Sequence, residues 1–149
     1  MISYRTEMLC EVVPEASELL ELHYQELTLN KDKIKLKPIW PKYMALEEAG
    51  MFAVFTARDD KKLVGYSAFF LNQHMHYEDT MVASNDVLFL HPDYRLGMTG
   101  IKLLKYSEKE LQARGVNKVT WHAKLDTNLI PLLIRLGYKN EELVLGKHF

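Results

Sequence analysis

The chain has 149 residues, of which 48% are hydrophobic and 26% are charged, and its formal net charge is −1. This length and composition are typical of a soluble protein with a real core, and they predict a single domain over residues 1–149. The nearly balanced charge gives no clear nucleic-acid surface, and no apolar run reaches membrane-spanning length, so neither a nucleic acid nor a membrane is an expected partner.

The N-terminal region predicts a cytoplasmic protein, because no charged segment followed by an apolar stretch marks a secretory signal. A strand-like segment lies within Ile2–Val13. The single cysteine, Cys10, excludes an internal disulfide and a thiolate zinc cluster. It lies in an apolar run and is predicted to be a small buried hydrophobe.

Two helices are predicted next. Pro14 occupies a position where a helix can begin, because an N–H is unpaired in the first turn anyway. A second, short helix is predicted over Lys42–Ala49, ended by Gly50. Apolar residues on one face of the first helix are Ala16, Leu19, Leu20, Tyr24 and Leu27.

Three segments rich in aromatic and β-branched residues then predict an antiparallel meander. They are Met51–Ala57, Leu63–Leu71 and Met81–Leu90. The stretch Asn72–Asp79 is predicted to connect the last two strands. It carries His74 and His76, but no third ligand accompanies them, so a surface loop is favoured over a metal site, and no metal is expected.

The last third alternates helices and strands. The clearest helix of the chain is predicted over Ile101–Arg114, with one apolar stripe. A half-buried strand over Lys118–Lys124, a short helix over Asn128–Leu136 and one or two strands within Tyr138–Phe149 follow. The order β-α-α-β-β-β-α-β-α-β(β) predicts an α/β fold with a mixed central sheet flanked by helices.

The turn between the third meander strand and the long helix, HPDYRLGMTG over His91–Gly100, carries one arginine and two glycines. A helix N-terminus presents free N–H groups and the positive end of the helix dipole, and glycines allow close approach of a ligand to the backbone. The turn therefore suits an anion. It equally fits an ordinary strand-to-helix turn, and the residues alone leave both interpretations open.

The chain resembles the GNAT family of acetyl-CoA-dependent N-acyltransferases over nearly its full length. The family signature is Arg or Gln, two residues, Gly, one residue, then Gly or Ala, at the entry to a long helix. Arg95 and Gly100 match it at the right spacing, as do the strand Lys118–Lys124 and the RLGY ending at Arg135–Tyr138.

The resemblance implies that acetyl-CoA is the cofactor and indicates where it binds. Pantetheine would pair as an added strand with a bulged strand ending at Leu90, in the gap beside Lys118–Lys124, and the pyrophosphate would lie on the amides that follow Arg95. The implied cofactor-binding residues are Leu88, Phe89, Leu90, Arg95, Leu96, Gly97, Met98, Thr99, Gly100, Ile101 and Asn128.

Two positions depart from the family pattern. Met98 stands where the signature usually has Gly, with Gly97 one residue earlier, so either the loop has its glycine shifted or one amide–phosphate contact is altered. Leu133 stands where many relatives place the tyrosine that protonates the leaving thiolate. The general acid is therefore unassigned, and Tyr138 is interpreted as a packing residue.

Acetyl transfer to an amine needs a base for the ammonium and a donor for the developing oxyanion. The resemblance implies that Asp86 is the base, four residues before Leu90 and on the same face by strand parity, although a solvated carboxylate is the alternative. His122, expected mid-strand, is the second candidate because imidazole titrates near working pH, with an ordinary sheet histidine as its alternative. A backbone N–H near Leu90, freed by the bulge, is the expected oxyanion donor.

The leading hypothesis is an acetyl-CoA-dependent N-acetyltransferase that acts by direct attack of a primary amine in a ternary complex. The acceptor is a small molecule, or a lysine or N-terminus of a protein, and the sequence does not identify it. The alternative is a catalytically weak or inactive acyl-CoA-binding or partner-binding module, motivated by Met98 and Leu133. Aromatic candidates for the acceptor site are Tyr24, Trp40, Tyr43 and Phe70, but an aromatic residue on a helix is more often part of the core, so none of them is predicted as a site residue.

The compact size, the Tyr94–Gly100 variant and the segment Trp121–Lys124 are also similar to small GNAT proteins encoded by tailed phages. That similarity implies the host cytoplasm and a host or phage macromolecule as target. A homodimer through a sheet edge or the C-terminal strand is a further expectation from relatives.

Overall fold

The computed structural model describes every residue from Met1 to Phe149. One five-stranded sheet runs in chain order through β1 (Ile2–Glu7), β2 (Phe52–Asp59), β3 (Lys62–His74), β4 (Tyr77–Leu90) and β5 (Lys118–Thr120). The helices that flank it are α1 (Leu9–Leu27), α2 (Trp40–Glu48), α3 (Thr99–Ala113) and α4 (Leu129–Arg135). Neighbouring strands are antiparallel except β4 and β5, which are parallel. The predicted mixed α/β sheet flanked by helices is therefore confirmed.

The core lies on both faces of the sheet. Because strand side chains alternate between faces, Phe52 and Val54 of β2 pack under α1 and α2, whereas Ala53 and Phe55 pack under α3. Burial on both faces explains why this strand is apolar almost throughout. None of the helices combines the length and the apolarity needed to cross a membrane.

Helix α1 begins five residues before Pro14, so the prediction that it starts at the proline is wrong. The Glu11 carboxylate accepts the Met8 N–H at 2.9 Å and caps the first turn. Pro14 removes only the hydrogen bond to the Cys10 carbonyl, and both residues lie on the exposed side of the helix.

Cys10 is exposed, not buried as predicted. The residues of α1 that face the sheet are Leu9, Val12, Ala16 and Leu19. This helical spacing turns Cys10 toward solvent, whereas the prediction treated the same stretch as part of a strand.

The predicted connection Asn72–Asp79 is mostly strand. β3 continues to His74 and β4 starts at Tyr77, so only a tight turn at Met75 and His76 separates them. The His76 N–H donates to the His74 imidazole at 3.1 Å within that turn. No group of three or more His, Cys, Asp or Glu side chains is placed to hold a metal ion.

The C-terminal part departs most from the prediction. β5 ends at Thr120 instead of Lys124, and no strand forms within Tyr138–Phe149. The tail has no face against which to bury its apolar residues, of which Leu143, Val144 and Leu145 are exposed. Its one anchor to the sheet is an ion pair between Lys118 and Glu141 at 2.7 Å.

Gly65, opposite Leu90 in the sheet, makes a testable close contact. A Cβ there would lie 2.7 Å from Leu90 Cδ1 and 3.0 Å from the Phe89 carbonyl oxygen, which cannot move without disturbing β4. We expect Gly65→Ala to lower the free energy of unfolding by about 1–3 kcal/mol, measured by chemical denaturation. In the control Gly100→Ala the nearest atom is 3.7 Å away, so equal losses in both variants would contradict this explanation.

Candidate active site

A β-bulge in β4 organises one side of the site. Ala68 of β3 faces Val87, whereas the next residue, Phe69, faces Asn85, so Asp86 is the extra residue. Asn85 is only 2% exposed, and its side-chain amide donates to the Ala68 carbonyl at 3.2 Å and the Val87 carbonyl at 2.9 Å. The buried side-chain amide thus donates hydrogen bonds to backbone carbonyls on either side of the point where the extra residue interrupts the pairing of β3 and β4.

The bulge reverses the alternation of β4 side chains between the two faces of the sheet, one of which packs against α1 and the other against α3. Before it, Ala83 packs toward α3; after it, Val87 and Phe89 pack toward α1 and Leu90 toward α3. Asp86 lies on the α1 side, so the expectation that it shares a face with Leu90 is wrong. The bulge expected near Leu90 lies four residues earlier, at Asp86 itself.

β4 and β5 separate just before the bulge. They pair only from Val82 to Ser84, opposite Lys118 to Thr120. From Asn85 to Leu90, β4 has no neighbouring strand on that side, and its backbone edge is open to an extended ligand. Leu88, Phe89 and Leu90, the predicted pantetheine-pairing residues, all lie on this open edge.

The turn before α3 presents six successive backbone N–H groups, from Leu96 to Ile101, that have no acceptor in the protein. The first N–H to be satisfied is that of Lys102, which donates to the Met98 carbonyl at 2.9 Å. Together with the positive end of the α3 dipole, this run has the chemistry of an anion site.

Gly97 rather than position 98 supplies the left-handed backbone of this turn. Its φ is +83°, whereas Met98 has an αR conformation that any residue adopts. Of the two alternatives for Met98, the shifted glycine is therefore the one in the structure. The Met98 side chain is 53% exposed.

Arg95 fastens this turn to its surroundings. Its Nε donates to the Leu90 carbonyl at 2.8 Å, and its two terminal nitrogens donate to the Glu26 carboxylate at 2.7 and 2.6 Å. The guanidinium also lies 5.2 Å from the Phe89 ring centroid. The hydrogen bonds from Arg95 lower the pKa of Glu26. Arg95, a predicted cofactor-binding residue, thus holds the end of β4 and helix α1 with its side chain.

A cavity of about 410 Å³ lies between α1, α2, the segment 28–38 and the sheet. Three of the four predicted aromatics, Tyr24, Trp40 and Tyr43, line it, and Phe70 stacks on Tyr43 with 6.1 Å between ring centroids. Asp86 is the only acidic side chain in the lining. The cavity is therefore an apolar chamber with one carboxyl group on its sheet side.

Tyr43 donates a hydrogen bond to Asp86 Oδ2 at 3.0 Å. Burial raises the pKa of the Asp86 carboxyl, and the Tyr43 hydrogen bond and a charge on His122 partly oppose that rise. Burial, followed by the neighbouring carboxylate, raises the pKa of Tyr43 to about 12, so its hydroxyl stays a donor. A partly buried carboxyl with a raised pKa is a stronger base than a fully exposed one.

His122 is close enough to Asp86 for their charges to interact, so the two predicted catalytic residues belong to one region. The imidazole is exposed and lies two residues beyond the end of β5. The prediction that it is a mid-strand residue is therefore wrong, because β5 stops where its pairing with β4 stops.

The comparison with known families decides the identity of the fold. The model of the acetyltransferase (GNAT) family matches residues 14–138. The chain belongs to the GNAT family. The predictions of family and of a GNAT-type N-acetyltransferase are confirmed by this match, and acetyl-CoA is the donor that the family generally uses. No curated protein matches the sequence significantly.

Solved GNAT structures share the whole fold. An aminoglycoside acetyltransferase from an uncultured soil metagenomic sample has a TM-score of 0.79 at 17% identity, covering 100% of this chain and 99% of its own. Another from such a sample, in complex with sisomicin, has a TM-score of 0.75 at 16% identity, covering 99% and 95%. A ribosomal-protein-alanine N-acetyltransferase from Brucella melitensis biovar Abortus 2308 has a TM-score of 0.74 at 17% identity, covering 100% and 99%.

The departure at Leu133 holds in the structure of this GNAT chain. Leu133 is buried in the core at 6% exposure. The nearby Tyr138 packs edge-on against Trp121 and donates to Glu108 at 2.7 Å, in keeping with its interpretation as a packing residue. Asn128 lies exposed beside the start of α4. No hydroxyl on α4 therefore replaces the tyrosine of the relatives.

Sequence reasoning missed two contributors to this candidate site, Asn85 and Glu26, and the role of a third residue, Tyr43, which it named only as an aromatic candidate. Asn85 holds the bulge, Glu26 holds Arg95, and the Tyr43 hydroxyl holds Asp86. The one sequence signal among them is Asn85, a polar amide inside an otherwise apolar strand and next to the candidate base. Glu26 and Tyr43 carry no such signal, because their partners are 69 and 43 residues away.

The Tyr43–Asp86 pair gives a direct titration test. We expect the Asp86 pKa, followed by NMR of its side-chain carboxyl, to lie above the ordinary 3.8 in the wild type. It should be higher still in Tyr43→Phe, because that variant loses a hydrogen bond to the charged form. Tyr66→Phe is the control, since that hydroxyl lines the same cavity but bonds His23. An Asp86 pKa that Tyr43→Phe leaves unchanged would refute the coupling.

Proposed function

We propose that this protein transfers the acetyl group of acetyl-CoA to a primary amine by direct attack within a ternary complex. The observation that carries the proposal is the run of six free amides, Leu96–Ile101, next to the open edge of β4. A pyrophosphate fits the amides, and an extended amide-bearing arm fits the edge. The fit extends to Gly100, whose absent Cβ leaves the first turn of α3 open to a ligand.

In this proposal each part of the chain has a separate task toward the donor. Leu88–Leu90 pair with the pantetheine arm, and the Leu96–Ile101 amides hold the pyrophosphate. Arg95 keeps both segments in place through Leu90 and Glu26 rather than by binding phosphate. Acetyl-CoA, when bound, supplies the thioester carbonyl that accepts the amine.

Asp86 is the proposed general base. Its carboxyl lines the cavity beside the bulge, is fixed by Tyr43 and has a raised pKa, so it can take the proton of an ammonium that enters from the cavity. His122 is exposed, and we assign it only an electrostatic effect on Asp86. No side chain of α4 is assigned as general acid, and solvent protonates the leaving thiolate.

Direct attack is favoured over a covalent acyl-enzyme because the only cysteine, Cys10, is exposed on α1 and does not line the cavity. Solved neighbours are named for amines as different as an aminoglycoside and the alanine of a ribosomal protein. The shared fold therefore does not select the acceptor, which must be inferred from this chain's own cavity.

Met98 allows a test of the donor site that separates binding from stability. We expect Met98→Glu to weaken acetyl-CoA binding by about tenfold or more in calorimetric titration, because a carboxylate would face the phosphates. The near-isosteric Met98→Gln should bind almost as the wild type does. Met98→Glu should not be less stable, since a negative charge at a helix N-terminus is worth about 0.3–1 kcal/mol. Equal binding by both variants would place the donor elsewhere.

Replacement of the base gives the catalytic test. We expect Asp86→Asn to lower kcat by about 10²-fold or more in a thiol-release assay, with acetyl-CoA affinity retained. His122→Gln should cost less than tenfold, because His122 acts on Asp86 only through its charge. The reverse ranking would make His122 the base. Acetyl-CoA binding without thiol release across a broad amine panel would favour the inactive acyl-CoA-binding module.

A further inference from the structure

A basic strap forms one wall of the cavity. We define the strap as residues 28–38, which contain four lysines and a single acid, Asp32. The lysines are Lys31, Lys33, Lys35 and Lys37. The chain as a whole has a net charge of −1, so this cluster is a local excess of positive charge.

The strap is anchored over the cavity. The Tyr24 hydroxyl contacts the Lys31 carbonyl at 3.1 Å and the Ile34 carbonyl at 2.6 Å. Lys31 Nζ donates back to the Gln25 carbonyl at 2.9 Å. Because α1 holds the strap in this way, the five residues from Ile34 to Pro38 form one wall of the cavity.

Lys35 and Lys37 are the two cations in that wall. Lys35 Nζ donates to the Lys31 carbonyl at 2.9 Å, which holds the ammonium but leaves it further donors. Lys37 has neither a hydrogen-bond acceptor nor an ion-pair partner in the protein. The cavity lining thus contains one carboxyl group, Asp86 on β4, and two exposed lysines, Lys35 and Lys37 on the strap, and most of the other lining residues are apolar or aromatic.

We propose that the acceptor is a small amine whose apolar body carries an anionic group, a carboxylate or a phosphate, at the end remote from the amine. This inference rests on the proposed function. The amine would lie toward Asp86, and the anion would meet Lys35 and Lys37. A polycationic acceptor would instead place like charges against the strap. A cavity of about 410 Å³ with the strap as one wall has the volume of a site for a small molecule.

A matched set of amines tests the charge preference. The acceptors are para-(aminomethyl)benzoate, its neutral amide para-(aminomethyl)benzamide, and para-(aminomethyl)phenylphosphonate. Ring and amine are the same in all three, so a difference in kcat/KM reports the remote group. We expect each anion to exceed the amide by about tenfold or more. A larger value for the phosphonate assigns the anion as phosphate-like, and a larger value for the benzoate assigns it as a carboxylate.

Variants of the strap lysines then show which side chains cause the preference for an anionic acceptor. Lys37→Glu should abolish or reverse the preference, and Lys35→Glu should reduce it. Lys33→Glu is the matched control, because it makes the same charge change on the same strap but does not line the cavity. We expect Lys33→Glu to retain most of the preference, the residual effect being long-range and screened by salt.

Several results would overturn this inference. They are equal kcat/KM for the benzoate and the amide, equal effects of Lys37→Glu and Lys33→Glu, or acetylation of a peptide N-terminus but of none of the small amines. If no amine is acetylated although acetyl-CoA binds, the proposed function fails by itself. Calorimetric titration of para-(aminomethyl)benzoate into wild type, Lys37→Glu and Lys33→Glu then still decides whether the cavity selects an anion.

Discussion

The site depends on one extra residue in β4. Asp86 has no partner on β3, and the buried amide of Asn85 satisfies the carbonyls on either side of the irregularity. The inserted residue changes the face to which the rest of the strand points, and this places the Asp86 carboxyl in the cavity. A bulge also bends and twists its strand, which fits the end of pairing with β5 at Ser84. The position of the proposed base and the open edge of β4 therefore have a common structural origin.

Helix α1 connects the two halves of the site. Near its C-terminus, Glu26 holds Arg95 of the anion-binding turn, His23 stacks on Phe89 of β4 at 5.0 Å, and Tyr24 holds the strap. The same turn of helix therefore positions the loop proposed to bind the donor and one wall of the cavity proposed to bind the acceptor. The Glu26–Arg95 pair is only partly buried, so it adds little stability. Its value is geometric: its two hydrogen bonds, with a third from Arg95 to the Leu90 carbonyl, fix the orientation of the loop.

Sequence reasoning succeeds where a pattern is local and repeated. The apolar stripe of α3 and the dense apolar strands β2 and β3 define the meander and the helix that packs beneath it. Sequence reasoning fails where a single residue changes the alternation of side chains along an element. It also fails where a contact between residues far apart in the sequence determines the structure. Strand parity assumes a regular β4, so it cannot place Asp86 across a bulge. The start of α1 depends on Glu11 as much as on Pro14, and the C-terminal tail has strand-like residues but no edge that it pairs with.

The positions of the charged side chains matter more here than the net charge of the chain. A chain of net charge −1 shows no preference for anions or cations as a whole, yet its fold puts two lysines of the strap, Lys35 and Lys37, and a single carboxyl, Asp86, in the lining of one cavity. The mostly apolar lining strengthens the interaction of the partly buried Asp86 carboxyl with an amine relative to water, whereas solvent screens the exposed lysines more strongly. An acceptor with separated charges of opposite sign would be oriented as it binds. Its amine would approach the open edge of β4 only in the orientation that Asp86 can deprotonate, so selection of the acceptor and alignment for attack would follow from the same field.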